Sequence, residues 1–229
     1  MARIALIALF VMVSSMTARA DQDVYIDQVS GQNLNLTITQ KGGDGNTIGD
    51  KTNVNPFFNI DGDGQTLTFT QNGDANKVIG TMTGNNIDLL FLQAGDENVF
   101  TFNLDRSSES DMDFSIMGNS NIFTLSMGTV VSAEYTTLDY TIDGNDNTFG
   151  ITIDADGATH TLDLTGDGNT YTINQTGYGN STLGSTIDIT SIGDNNTVTI
   201  DQSATINPSN IEMILNGSDQ NISINQSNQ

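Results

Sequence analysis

The chain has 229 residues, 36% of them hydrophobic, with no cysteine and a formal net charge of −22. The missing cysteines exclude a disulfide scaffold. So large an excess of acid also excludes the cation clusters through which proteins hold nucleic acid or an anionic membrane surface.

Met1 to Ala20 reads as a secretory signal peptide. Arg3 supplies a positive start, Ile4 to Val13 is an unbroken apolar run of ten residues, and Ala18-Arg19-Ala20 is a small-x-small cleavage pattern. The run is too short to span a bilayer as a helix, and no later segment approaches that length. The sequence therefore predicts a mature chain, residues 21–229, that is secreted to the cell exterior without membrane insertion. Removing Arg3 and Arg19 leaves four basic residues (Lys41, Lys51, Lys77, Arg106) against 28 acidic ones, a formal charge of −24.

From there to residue 229 one unit is written about eight times. In Leu67-Thr-Phe69-Thr-Gln71-Asn-Gly73-Asp-Ala-Asn76-Lys-Val78, the apolar residues and Gln71 alternate with Thr at the period of a strand. Gly73 marks a tight corner, and Asn76 shares a phase with Val78 beyond it. Related units carry Gln40 and Asn46; Gln93, Gly95 and Asn98; Gly118 and Asn121; Gly144 and Asn147; and Gly166 and Asn169. Later ones carry Gln175, Gly177 and Asn180; then Gly193, Asn196 and Gln202; then Gly217 and Gln226. Gln32 and His160 stand in the same phase before Leu34 and Leu162, which places both among the inward polar residues.

The corner glycines 73, 95, 118, 144 and 166 are 22, 23, 26 and 22 residues apart, and 193 and 217 are 24 apart. Two strands and two turns fill such a period. The predicted fold is all-β, a flattened two-sheet β-solenoid of about eight coils of 22–26 residues. At ~4.8 Å per coil the column would be about 40 Å long. The pairs 62 and 73, and 166 and 177, read as opposite corners of one coil. Glycine suits a corner because it accepts positive φ, and inward Asn and Gln are expected to form side-chain amide ladders from coil to coil. Pro56 with Phe57 and Phe58, Arg106 to Asp111, Met127 to Glu134, and Pro208 interrupt the pattern and are predicted to be loops. The last residues, Asn221 to Gln229, stay within the repeat and predict an uncapped edge.

Gln71-Asn-Gly73-Asp-Ala-Asn76, Gln93-Ala-Gly95-Asp-Glu-Asn98 and Gln175-Thr-Gly177-Tyr-Gly-Asn180 resemble the curlin repeat, Gln-x-Gly-x-x-Asn. Similarity to curli fibre subunits implies a stacked solenoid that polymerises into extracellular amyloid-like fibres for adhesion and biofilm matrix. It implies self-association as an end-to-end homopolymer, with other curlin-like subunits and an export pore as further partners.

Catalytic readings find little support. His160 is the one histidine and reads as a core residue, so a nucleophilic triad has no base beyond it. Asp154 and Asp156 could flank a glycosidic bond, yet nothing sets them apart from other outward acids. A non-enzymatic protein without a cofactor is expected. Asp61-Gly-Asp-Gly-Gln65, Gly43-Asp-Gly-Asn46 and Gly166-Asp-Gly-Asn169 resemble fragments of Ca²⁺-binding loops, though they fall on corners that the repeat already explains. Thr37/Thr39, Thr68/Thr70, Thr170/Thr172 and Thr197/Thr199 could form a flat ice-binding array, interrupted at Asp163, Asn174 and Asp188. The alternative to a fibre is thus a monomeric or phage-borne adhesin that binds glycans or Ca²⁺.

Overall fold

A computed structural model describes residues 23–24, 26–28, 32–41, 45, 47–49, 58–105, 109–128, 133–177, 186–204 and 210–228. The signal peptide, Asn46, Pro56, Asn180 and Pro208 lie outside the described residues. Those described contain strands and turns and no helix. In chain order the strands begin β1 (Asp23–Val24), β2 (Ile26–Gln28), β3 (Asn35–Lys41), β4 (Thr47–Ile48) and β5 (Phe58–Asp61). Next come β6 (Thr66–Asn72), β7 (Lys77–Thr83), β8 (Asp88–Ala94), β9 (Val99–Asp105), β10 (Asp111–Met117) and β11 (Ile122–Met127). The remainder are β12 (Ala133–Glu134), β13 (Thr137–Asp143), β14 (Thr148–Asp156), β15 (Thr159–Thr165), β16 (Thr170–Gly177), β17 (Thr186–Ile192), β18 (Thr197–Ala204), β19 (Asn210–Asn216) and β20 (Asn221–Asn228).

The strands form two parallel sheets. The front sheet has eight strands in the order β19-β17-β15-β13-β10-β8-β6-β3, and the back sheet has twelve, with β4-β7-β9-β11-β14-β16-β18-β20 as its spine. Each turn gives one strand to the front, rounds a corner, and gives one to the back. The fold is the expected β-solenoid. Six turns, β6–β7 through β17–β18, have long strands in both sheets and a neighbour on either side. The first turn has its back strand broken into the two-residue β4 and the four-residue β5, which pair with the two halves of β7, and the last, β19–β20, is covered on one side only, so the complete inner turns number fewer than the eight expected. Successive turns are 31, 22, 23, 26, 22, 27 and 24 residues apart along the chain, wider than the predicted 22–26.

Alternation explains the layering. On β6, Leu67, Phe69 and Gln71 are buried and Thr66, Thr68 and Thr70 are not, as a period of two requires. Apolar residues from both sheets form one core. Aromatic rings run along it, with Phe100 stacked on Phe123 at 4.6 Å and Phe91 meeting Phe100 across the sheets at 4.5 Å. Gly80 leaves a gap in that layer which Phe58 occupies. A Cβ at Gly80 would stand 2.6 Å from the Phe58 ring. Phe58 is accordingly a strand residue of the core and not part of a loop. Met127 is likewise buried at the end of β11, Asp111 opens β10, and Ala133–Glu134 pairs with β14, so the loops expected there are shorter than the sequence suggested.

Candidate functional site

The polar residues singled out by the repeat gather into lines that run the length of the column. At the corner between front and back strands, Gly73, Gly95, Gly118, Gly144, Gly166, Gly193 and Gly217 stack on one another, with φ between 127° and 154°. Positive φ is half of the reason for glycine. The other half is crowding, because a Cβ on Gly118, Gly144 or Gly193 would strike the carbonyl oxygen of the glycine one turn below. Two residues on, Ala75, Glu97, Ser120, Asp146, Gly168 and Asn195 take a left-handed conformation, which turns the following residue inward.

That residue is Asn76, Asn98, Asn121, Asn147, Asn169 or Asn196, and all six are buried. They do not form the amide ladder expected. Instead Asn98 Oδ1 accepts the backbone N–H of Asn76 at 2.8 Å, Asn121 that of Asn98 at 2.9 Å, and Asn147, Asn169 and Asn196 repeat the bond at 2.8 Å. Asn is short enough to reach a backbone donor that the corner leaves without a strand partner. In Asn76, Asn98, Asn169 and Asn196 the Nδ2 donates to a corner glycine carbonyl, as from Asn98 to Gly95 at 2.8 Å and from Asn196 to Gly166 at 2.9 Å, while the Nδ2 of Asn121 and Asn147 is buried without a partner.

A second line was missed in the sequence. Asp74, Asp96, Asn119, Asn145, Asp167 and Asp194 follow the corner glycines, and each side chain accepts the backbone N–H of its counterpart one turn on, at 2.6–2.8 Å. The signal was present, since an acid or amide follows the corner glycine in these units. Asp63 Oδ1 likewise accepts the Asn85 N–H at 2.7 Å. Asp63 and Asp167, two of the carboxylates suggested for Ca²⁺, are thus engaged with backbone, and among the described residues no three acids or histidines are grouped to hold a metal.

The glutamines do form amide ladders, and there are two. Gln71 Nε2 donates to Gln40 Oε1 at 2.8 Å and Gln93 to Gln71 at 3.2 Å on the front sheet. Gln202 donates to Gln175 at 3.1 Å and Gln226 to Gln202 at 3.0 Å on the back sheet. Ile116 and Ile153 end the two ladders in register. Gly177, expected at a corner, is the last residue of β16 and pairs with Ala204, so Gln175-Thr-Gly177 is strand. Gly62 does lie at the corner opposite Gly73, below Gly84. Gln32 is exposed, contrary to its phase, because Asn33 takes positive φ and reverses the alternation.

His160 does not share the slot of the amides. Its neighbours in register are Leu138 and Ile187, and neither ring nitrogen has a partner. Burial lowers its pKa from 6.5 to about 4. The unfolded chain takes up the proton near 6.5 and the folded chain only near 4, so stability is full above pH 6.5 and falls as pH drops through that window. The loss amounts to roughly 3 kcal/mol. His160→Leu, matching Leu138, should therefore narrow the gap between melting temperatures at pH 8 and pH 4.5. An unchanged gap would place the acid sensitivity elsewhere.

The threonine pairs do not share one face. Thr37/Thr39 and Thr68/Thr70 belong to the front sheet, Thr170/Thr172 and Thr197/Thr199 to the back. Asp163 and Asp188 lie on the front sheet and leave the back array uninterrupted by them.

At the end of the column the lines stop on an open turn. Ile222 and Ile224 of β20 are 38% and 47% exposed and Leu215 of β19 is 37% exposed, although their partners Val198, Ile200 and Ser191 are buried. Leu36 and Ile38 at the other end are 1% exposed, so one end is covered and one is not. No family model matches the chain, and no curated protein or solved structure matches it either. The curlin resemblance therefore stands on the repeat units and on no matched relative.

Proposed function

We propose that this is a secreted, non-enzymatic structural protein whose columns join end to end into curli-like extracellular fibres that serve adhesion and biofilm matrix. The observation that carries the reading is the open turn. Ile222, Ile224 and Leu215 continue three inward lines that are buried in the turn before, and β19 and β20 each leave one edge unpaired among the described residues. An unpaired parallel edge is a template for another strand, and Gln226 offers the back-sheet ladder a further rung. Net charge opposes stacking, so salt should speed it.

The mature chain, residues 21–229, is expected to form fibres with a meridional reflection at ~4.8 Å. Ile222→Asp combined with Ile224→Asp should remain monomeric while keeping the parent's β circular dichroism. Persistent monomers of the parent at every salt and pH, or equal fibre formation by the double variant, would overturn the proposal. A saturable glycan or Ca²⁺ isotherm on a stable monomer would favour an adhesin instead.

A further inference from the structure

The two outward faces of the column differ in charge. On the front sheet the outward positions carry Asp88, Asp111, Asp113, Asp139, Asp143, Asp163, Asp188 and Glu212. Burial first, and then the neighbouring carboxylates of Asp111, Asp139 and Asp88, hold the Asp113 carboxyl above its ordinary range. On the back sheet the outward positions from β7 to β20 carry only four charges among the described residues, Lys77, Asp105, Asp154 and Asp201, and none between Val99 and Asn103 on β9, on β11, or on β16. Thr101, Ile122, Thr124, Thr148, Thr152 and Thr170 are exposed there, and Ile122 is 48% exposed.

We propose that the outer face of the back sheet docks a second copy of this chain, sheet against sheet, whether or not the columns also join end to end. Depletion of charge, more than raw apolarity, marks the core of a protein interface, and this is the face that shows it. The seven strands from β7 to β20, at ~4.8 Å spacing and ~3.3 Å per residue, cover roughly 34 by 23 Å, close to the ~800 Å² per partner of a standard interface.

Charge also selects the second copy's orientation. Sheets pack about 10 Å apart, so back-to-back docking keeps the two acidic front faces about 30 Å from each other, several times the ~8 Å screening length at physiological salt. Front-to-front docking would set eight acids against eight. Front-to-back docking would bury one acidic row with a single cation to meet it, since Lys77 is the one basic residue on the strands of the back sheet.

The test uses the mature chain with the Ile222→Asp and Ile224→Asp changes, so that failure of end-to-end growth and failure of lateral pairing are separate results. Sedimentation velocity over a concentration series at 0.15 M salt should show a monomer–dimer equilibrium. Thr124→Asp with Thr172→Asp should weaken it by about tenfold or more, as like charges meet across the interface. Ser115→Asp with Thr161→Asp, on the front sheet, should leave it unchanged. As a second measurement, spin labels on single cysteines should give a shorter distance between copies at Thr172→Cys than at Thr161→Cys. A monomer at every concentration overturns the proposal, as does equal weakening by the two double variants. A chain that stays monomeric but is retained by an insoluble polysaccharide through Thr124 and Thr172 assigns the face to that ligand and also overturns it.

Discussion

Gly144→Ala is expected to destabilise the column by about 3 kcal/mol or more, the upper end of what overpacking a closely packed site costs. Gly144 holds φ at 148°, and its new Cβ would land on the Gly118 carbonyl oxygen, which is backbone and cannot swing aside. Relief would require lifting the corner off the turn below. That would strain the Gly144 N–H bond to the Thr165 carbonyl at 2.9 Å and the Asn169 Nδ2 bond to the Gly144 carbonyl at 3.0 Å. Gly150→Ala is the control, because nothing lies within 4 Å of a Cβ there, and a change within ~0.5 kcal/mol is expected. Repeat columns need not unfold in one step, so hydrogen exchange resolved by turn is the measurement. Loss of protection should spread from Gly144 to the turns of Gly118 and Gly166. Loss confined to residues 144–147, or equal effects at 144 and 150, would count against stacked crowding as the reason for glycine.

Phe123→Ala should cost a similar ~3–5 kcal/mol, the usual range for a buried phenylalanine, through packing instead of backbone. The Phe123 ring stacks on Phe100 at 4.6 Å and Phe149 at 5.4 Å on its own sheet, and meets Phe114 at 5.0 Å and Tyr140 at 5.8 Å edge-on from the other. Removing it deprives four rings of contact and leaves a hole that a rigid pair of sheets closes poorly. Phe123→Leu, which refills most of the volume, should cost much less. Denaturant midpoints of the three proteins give the comparison, and a Phe123→Ala midpoint equal to the parent's would show that the column closes around the loss.

Much of this architecture is readable along the chain, because a solenoid is a local device repeated. Leu67, Phe69 and Gln71 declare their face by alternation, and Gly73 with Asn76 declares the corner, all within ten residues. The inference weakens where a residue's partner is a whole turn away. Asn98 looks like Gln93 in phase and chemistry, yet its shorter side chain reaches backbone while Gln93 reaches another amide. His160 was placed by its spacing to Leu162, and only the pairing with Leu138 and Ile187 reveals an aliphatic line around it. Asp74 and Asp96 read as solvent-facing acids until the turn above supplies the N–H that they accept.

The all-β class, the two-strand turn, the corner glycines and the inward amides are legible along the chain, since each follows from a period of two and a tolerance of positive φ. Tertiary structure decided which of two sheets each strand joins. Gln71-Asn-Gly73 and Gln175-Thr-Gly177 are nearly the same words, yet the first leads into a corner from the front sheet and the second closes a strand on the back sheet. The physical reason is that a turn has two corners of opposite sense, and local alternation fixes inward against outward but not front against back. That same assignment gathers most of the outward strand acids on one face and leaves the threonines of β14 and β16 on the less charged one.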